Sequence, residues 1–409
     1  MATNLQTPIL NNRTRSVNFF NGRLLTGEDL TTEQQANRAA RAALGQSLGS
    51  GVVYGFAVSR STSSTLQTPV LTVTKGLALN LKGATLLLNS DVDVSLTQQA
   101  TAPAASSSAF QPCAPIQGGS YVSGSGVYLL TVAPASEAEG LAQVSGTSTS
   151  TAACNSDYTA DGVQFRLVQI AVSQTALSDP NHLQNVIAYQ CFGVANWDTL
   201  LAASSGVSPS PYGLIDQLRQ AQILTNCEVP LATLYWTVSN GIVFVDMWSV
   251  RRRRLQPASI SNWPLFVGDR RMAEGEAMFL QFQDQIGQLI ATQPNPGTII
   301  GAQYFNYLPP VGVLPLDGAT AAPGFTYQAF FVQGAYRAPV FIPAARLEGL
   351  VRVAMPFRPV NLANNEAVWL YQVVEGTTVL PYLIFTTIYA PFQGSAQFDL
   401  STWNFSNFL

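Results

Sequence analysis

Charge is scarce in this chain of 409 residues, because Asp, Glu, Lys and Arg together make up 11% of the sequence. Ordinary soluble domains carry about 25%. Only Lys75 and Lys82 are lysines, so nearly all the positive charge is arginine. A free monomer usually relies on surface charge for its solubility, and arginine suits interfaces better than lysine does. The composition favours a protein whose surface is covered by other subunits, or one that works outside the cell.

Histidine and the common catalytic motifs are also nearly missing. The single histidine, His182, lies in a predicted helix over 179–193, which excludes multi-histidine metal sites and leaves a Ser-His-Asp triad only if His182 is the base. The sequence has no P-loop, HExxH or GxSxG motif. We therefore expect no enzyme activity, no cofactor and no metal site, with His182 as an ordinary helix residue.

The chain has few cysteines, and none of them lie at CxxC spacing. We expect buried free thiols and hence folding in a reducing compartment. A disulfide between Cys113 and Cys154 is the alternative. The four positions are Cys113, Cys154, Cys191 and Cys227.

Targeting and membrane signals are absent from the pattern. The first residues have neither a basic nor an apolar region, so we expect no signal peptide. The apolar stretch 376–398 is interrupted by Pro381 and Pro391, which predicts strands and turns rather than a membrane span. A formal net charge of −3 argues against nucleic-acid binding.

The patterns that are present predict an α+β fold that is mainly β. We expect a hook and helix over 1–50, an antiparallel β domain with helical insertions over 51–256, and a helical connector over 257–310. A C-terminal β-sandwich or barrel-like domain would cover 311–409.

Several individual elements underlie this prediction. A meander is expected over 70–96, and loops or arms over 97–126 and 134–162. An amphipathic helix is expected over 267–291. Further strands are expected at 327–332, 350–354, 367–374, 382–389 and 403–405.

The hook begins with the aromatic pair Phe19 and Phe20, followed by the turn dipeptide Asn21-Gly22 and then Leu25. Thr26 and Asp29 match a capping box that would start a helix running to about Leu48. Local packing of the hook into its own domain is favoured by residue physics alone. Insertion into a neighbouring subunit is the functional alternative.

Two further groups could carry chemistry. Arg251, Arg252, Arg253 and Arg254 form the one charge run, which would bind an acidic partner or phosphate. The alternative is that they end a strand in solvent or form ion pairs within the chain. Asp246 lies within the apolar run 242–248. Pairing with an arginine of 251–254 would offset the cost of burying its carboxylate. A glycosidase pair of Asp246 with Asp269 or Glu274 is the less favoured interpretation.

Four segments resemble a known family of structural proteins. Residues 18–30, NFFNGRLLTGEDL, resemble the signature NFFDGQLLTAEDF found in structural proteins of contractile injection systems and related phage-tail-like particles. Residues 228–237, 241–252 and 307–316 look like further segments of the same group. The sequence departs from the signature at Asn21, Arg23 and Leu30, changes that preserve the turn and cap chemistry.

The resemblance implies a non-enzymatic particle subunit at or around the baseplate, such as a cage, adaptor or fibre anchor. Its partners would be other subunits in a symmetric homo-oligomer. Assembly would take place in the bacterial cytoplasm, with release of the particle as a further option. The alternative is a carbohydrate- or cell-surface-binding fibre module that uses its C-terminal aromatic residues.

Overall fold

The fold is mixed, with 33% helix and 35% strand, and its sheets are mostly antiparallel. This confirms the predicted α+β class and the N-terminal helix. The computed structural model describes residues 16–97, 121–122, 124–140, 142–143, 154–194, 213–251, 269–316, 324–331, 336–364 and 366–389.

Two compact units make up the described chain. The first contains the described residues of Met1–Ile170 together with Leu218–Val245. The second contains those of Ala171–Gln217, Asp246–Arg252 and Ser259–Leu409. Both units are built from separated segments, whereas the predicted boundaries at 50, 256 and 310 assume continuous domains.

One long helix and short strands form the first unit. Helix α1 covers Gly27–Leu48. The strands, with the last residue of β12 passing into the second unit, are β1 (Gly51–Gly55), β2 (Val58–Arg60), β3 (Val70–Val73), β4 (Gly76–Leu79), β5 (Thr85–Leu88), β6 (Val92–Ser95), β7 (Gly126–Glu139), β8 (Ala142–Gln143), β9 (Cys154–Asn155), β10 (Tyr158–Ile170), β11 (Val229–Thr237) and β12 (Gly241–Asp246).

The predicted meander divides between two small sheets. Strands β1, β4 and β5 form one antiparallel sheet, and β2, β3 and β6 form another. The turn between β4 and β5 is held by Asn80, whose side-chain oxygen accepts from the N–H groups of Lys82 (3.0 Å) and Ala84 (2.9 Å). Alternation correctly identified the strands, but it does not specify which strands pair.

A four-stranded sheet in the order β10-β7-β11-β12 is the largest described sheet of the first unit. Strands β7 and β10 pair in register from Glu139 and Tyr158 to Val127 and Ile170. The prediction of loops is therefore wrong for 134–139 and 158–162, because backbone pairing accommodates their small polar residues. Most of 97–126 lies outside the described residues.

The second unit combines helices with a mixed sheet. Its elements, with α4 continuing into the first unit, are α2 (Gln174–Leu177), α3 (Pro180–Phe192), α4 (Leu214–Gln220), α5 (Asp269–Thr292), β13 (Tyr307–Leu308), β14 (Val311–Pro315), α6 (Tyr327–Phe330), β15 (Tyr336–Pro343), α7 (Leu347–Ala354), β16 (Val360–Asn361), β17 (Val368–Glu375) and β18 (Thr378–Thr386). Short 3₁₀ turns lie at Pro296–Thr298, Gly301–Gln303, Ala344–Arg346 and Leu362–Asn364.

Apolar clusters cover both faces of the sheet β14-β18-β17-β15. On one face, Phe282 and Ile286 of α5 pack with Phe385. On the other, Leu350 and Ala354 of α7 pack with Tyr371. Strands β14, β18, β17 and β15 thus form one sheet between helices, where a sandwich or barrel was expected, and β15 pairs with β17 in parallel. Strands β13 and β16 pair separately.

Two predicted strands of this unit are helices. Residues 327–330 form α6 and 347–354 form α7. Their β-branched and aromatic residues favoured strands, but Leu347, Leu350, Val351 and Ala354 follow the helical spacing of one apolar face. The expected strand at 403–405 lies outside the described residues.

The cysteines differ from the expectation. Cys191 is a buried thiol, as predicted, whereas Cys227 is disulfide-bonded. Cys113 of the alternative pair lies outside the described residues. The expected reducing compartment rested on free thiols, and Cys227 removes that support.

No helix within the described ranges is long and apolar enough to cross a membrane.

Candidate docking surface

The hook, residues 17–26, is fastened to the first turns of α1. Thr26 Oγ1 accepts from the Asp29 N–H (3.2 Å), and the Asp29 carboxylate accepts from the Thr26 N–H (3.1 Å), which completes the predicted capping box. Further back, the Val17 N–H donates to the Glu33 carboxylate at 3.1 Å. These bonds order a segment so close to the terminus that it would otherwise fray.

Arg23 joins the turn to the cap. Its guanidinium donates to the Asn18 carbonyl oxygen at 2.8 Å and forms an ion pair with Asp29. It also lies 6.0 Å from the centre of the Phe20 ring. Hydrogen bonds from Thr26, together with the charge of Arg23, lower the pKa of Asp29. Position 23 therefore has a structural role in this chain.

The turn of the hook depends on Gly22. Its φ is +92°, a backbone conformation that favours glycine. The Arg23 N–H donates to the Phe20 carbonyl oxygen at 3.2 Å and closes the turn over Asn21. The predicted turn is thus confirmed.

The apolar side chains of the hook point into solvent. Phe19, Phe20, Leu24 and Leu25 are between 51% and 90% exposed. Local packing, the interpretation that residue physics favoured, therefore does not describe the hook. Large apolar side chains held exposed on an ordered segment are typical of a surface that binds another protein. Leu24, the most exposed of the four, was not singled out in the sequence.

Of the predicted arginine run, the structure describes Arg251, which belongs to the second unit. Arg251 follows a turn, with its N–H bonded to the Met247 carbonyl oxygen at 3.0 Å, and is half-buried. Desolvation lowers the pKa of Arg251 to about 10. A solvated strand end is therefore wrong for Arg251. Arg252, Arg253 and Arg254 lie outside the described residues.

Asp246 is buried in the second unit, with 1% of its surface exposed. Its carboxylate accepts from the Ser249 N–H (2.9 Å) and from the Gln281 side-chain amide (3.1 Å). Burial raises the pKa of Asp246 to about 6, with a smaller contribution from the charge of Asp284. A carboxylate so enclosed is poorly placed to reach a polysaccharide.

The second acids of the glycosidase interpretation give it no support. Glu274 is buried and pairs with Arg270 at 3.0 Å. The side chain of Asp269 lies outside the described residues. Within the described ranges, no group of three or more His, Cys, Asp or Glu side chains could hold a metal ion.

His182 connects two parts of the second unit. Its Nδ1 lies 2.7 Å from the Asp179 carboxylate, and its Nε2 lies 2.9 Å from the Ala302 carbonyl oxygen. Both ring nitrogens are thus engaged in tying the start of α3 to a 3₁₀ turn. This agrees with the expectation of an ordinary helix residue.

One aromatic cluster bears on the predicted sugar-binding alternative. The rings of Trp369 and Tyr389 lie 4.5 Å apart, tilted by 48°. The Arg337 guanidinium lies 5.8 Å from the Trp369 ring. Trp369 is partly packed into the core beneath α7, so this cluster also has a packing role.

No model of a known protein family matches the chain, and no curated protein matches it.

Proposed function

We propose that the chain is a non-enzymatic structural subunit of a contractile, phage-tail-like injection particle, located at or around the baseplate as a cage, adaptor or fibre anchor. One observation carries the proposal: the hook presents four large apolar side chains to solvent on a segment fixed by hydrogen bonds. A segment used only for local folding has no need to hold four large apolar side chains in solvent, whereas a binding surface does.

Composition and sequence resemblance support the same function. A chain with only 11% charged residues suits contact with neighbouring subunits, because interface cores are depleted of charge. Residues 18–30 and the three later segments resemble structural proteins of such particles. Assembly in the bacterial cytoplasm beside the other subunits follows from this proposal.

The hook would act as a preorganised plug. Because its backbone is already ordered by the cap and by Arg23, little conformational entropy is lost when Phe19 and Phe20 enter a partner. Aromatic side chains carry much of the binding energy where they fill a pocket at the centre of an interface.

Replacing both aromatic residues tests the proposal. We expect Phe19→Ala together with Phe20→Ala to lower incorporation into purified particles at least about tenfold. Incorporation is measured by quantitative mass spectrometry of particles from cells that carry the variant in place of the wild type. The isolated variant is expected to keep its circular dichroism spectrum, because both rings are already exposed.

The matched control replaces two exposed aromatic residues elsewhere, Tyr158→Ala together with Phe341→Ala. This control should enter particles normally. Normal incorporation of the hook variant, or equal loss in the control, would rule out the hook as the anchor.

A further inference from the structure

Helix α1 attaches to the rest of the first unit along one side. Arg38 pairs with Asp161 at 3.1 Å, and the Gln46 side-chain amide donates to the Lys82 carbonyl oxygen at 3.2 Å. Gly45, the one fully buried position of α1, faces Gly83 so closely that a Cβ at either glycine would overlap backbone. These contacts define the inner side of the helix.

A different side of α1 carries an exposed seam with the spacing 4, 3, 4, 3, 4. This is the a/d repeat by which one helix packs against another. Its three leucines are between 51% and 67% exposed. The seam consists of Leu30, Gln34, Asn37, Arg41, Leu44 and Leu48, all of them exposed.

We propose that this seam binds the same seam of a second copy of the chain, with the two helices antiparallel. The seam is about 27 Å long at 1.5 Å per residue, which is long enough for a specific helix pair. Three leucines in six positions give each copy apolar area to bury.

The symmetry of the seam favours a second copy as the occupant. In an antiparallel pair, position 30 faces 48, position 34 faces 44 and position 37 faces 41. Leu30 then meets Leu48 at both ends, and each Arg41 meets the amide of Asn37. In a parallel pair, Arg41 would face Arg41, and like charges at a helix interface are destabilising.

The charges that flank the seam favour the same direction. The first half of α1 carries Glu28 and Glu33, and the second half carries Arg41, whereas Asp29 and Arg38 are already paired with Arg23 and Asp161. An antiparallel pair places the acidic half of each copy beside the basic half of the other, and it also opposes the helix dipoles.

This inference rests on α1 alone. It adds to the proposed function the identity of one partner, a second copy of the chain. The hook remains available for a different subunit. Failure of the pairing leaves the incorporation test of Phe19 and Phe20 unaffected, so the two proposals fail independently.

Sedimentation velocity of the full-length chain over a concentration series tests the pairing. We expect the wild type to form a dimer, and Leu30→Glu or Leu48→Lys alone to weaken it at least about tenfold. An acidic residue near the start of a helix and a basic one near its end suit the helix dipole, so neither change should unfold α1.

Combining the two substitutions distinguishes the directions. In the antiparallel pair, the new carboxylate at position 30 faces the new ammonium at position 48 at both ends, and dimerisation is expected to recover. A 1:1 mixture of the two single variants should likewise associate more strongly than either variant alone. In a parallel pair, position 30 faces 30 and position 48 faces 48, so like charges would meet and the double variant would not recover.

Val238→Glu, at another exposed apolar position of the first unit, is the control and should dimerise as the wild type does. A wild type that is monomeric at every concentration would overturn the proposal. The same holds if single variants dimerise normally, or if the double variant does not recover.

Discussion

The buried carboxyl of Asp246 makes the stability of the protein depend on pH. Its pKa rises from 3.8 to about 6, chiefly because burial disfavours the charged form. The folded state therefore holds a proton that the unfolded state has released between these two values. The part of the free energy of unfolding that depends on Asp246 is therefore highest below about pH 4. It falls as the pH rises to about 6.

Asp246→Asn should remove this dependence. We compare the free energy of unfolding of the variant with that of the wild type at each pH. This difference is expected to be about 3 kcal/mol more in favour of the variant at pH 7 than at pH 4. Urea unfolding at several pH values measures the difference. Any constant offset reflects the altered hydrogen bonds to Ser249 and Gln281, so the pH-dependent part is diagnostic.

Glu348→Gln controls for the loss of one negative charge, because Glu348 is an exposed carboxylate of the same unit, paired with Arg352 at 2.8 Å. Its effect on stability is expected to be below about 1 kcal/mol. A gain for Asp246→Asn that is the same at pH 4 and pH 7 would contradict the burial argument.

A second buried carboxylate, Glu228, shows what residue patterns do not reveal. It accepts from both Nε and an Nη of Arg166 (2.8 Å each), from the Thr131 hydroxyl (2.9 Å) and from the N–H and hydroxyl of Thr225 (2.9 Å each). Arg166 and Thr131 are 62 and 97 positions away in sequence. Of these three partners, Thr225 is the local one, three positions away. Local sequence patterns therefore do not predict the bonds that Glu228 accepts from Arg166 and Thr131.

At the scale of the element, the attachment of α1 depends on two glycines. We expect Gly45→Ala to separate the last turns of α1 from the β4–β5 turn, because the added Cβ would overlap the Gly83 carbonyl. Overpacking of this kind costs about 1–3 kcal/mol. Hydrogen exchange should increase in the last turns of α1 and at 80–84, and urea unfolding should report the loss of stability.

Gly27→Ala is the matched control in the same helix. Nothing lies within 4 Å of a Cβ at Gly27, and alanine favours helix by up to about 1 kcal/mol. The control should therefore be neutral or slightly stabilising. Equal protection of the 80–84 amides in both variants would show that Gly45 does not set the approach of the helix.

The elements differ in how far sequence predicts them. Helix α1 was placed correctly because Thr26, Asp29 and Gly49 are local signals that need no tertiary contact. Helix α7 was missed because its valines favour strands, although its apolar spacing is helical. Exposure of Phe19 and Phe20 depends on what the rest of the chain leaves uncovered, so periodicity could not decide between local packing and docking.

At the scale of the whole molecule, few charges and several exposed apolar side chains occur together. Such a surface is costly in a free monomer and is explained if other chains cover it. The hook and the α1 seam lie in the first unit, whereas the Trp369 cluster lies in the second. Under the proposed function and its sugar-binding alternative, contacts with other subunits and with a surface target would use different units.

Cys227 and Cys191 differ in what protects their sulfur atoms, a disulfide for Cys227 and burial for Cys191. We expect Cys227 to resist alkylation in the native protein and also after unfolding without reductant, because it is in a disulfide. Cys191 should resist alkylation only while the protein is folded, because its thiol is buried. Peptide mass spectrometry after alkylation in the native state, after unfolding, and after unfolding with reductant separates these cases.

Cys191 is the internal control, since its behaviour reports burial without a disulfide. Reduction is expected to lower the free energy of unfolding by about 2–4 kcal/mol. The disulfide restricts the conformations of the unfolded chain, and reducing it gives the unfolded state more conformational entropy. Alkylation of Cys227 after unfolding without reductant would instead show that Cys227 is a free thiol, as the sequence predicted. Disulfides persist in oxidising environments, so a disulfide at Cys227 in protein isolated from its source would support the proposed option of a particle that is released from the cell.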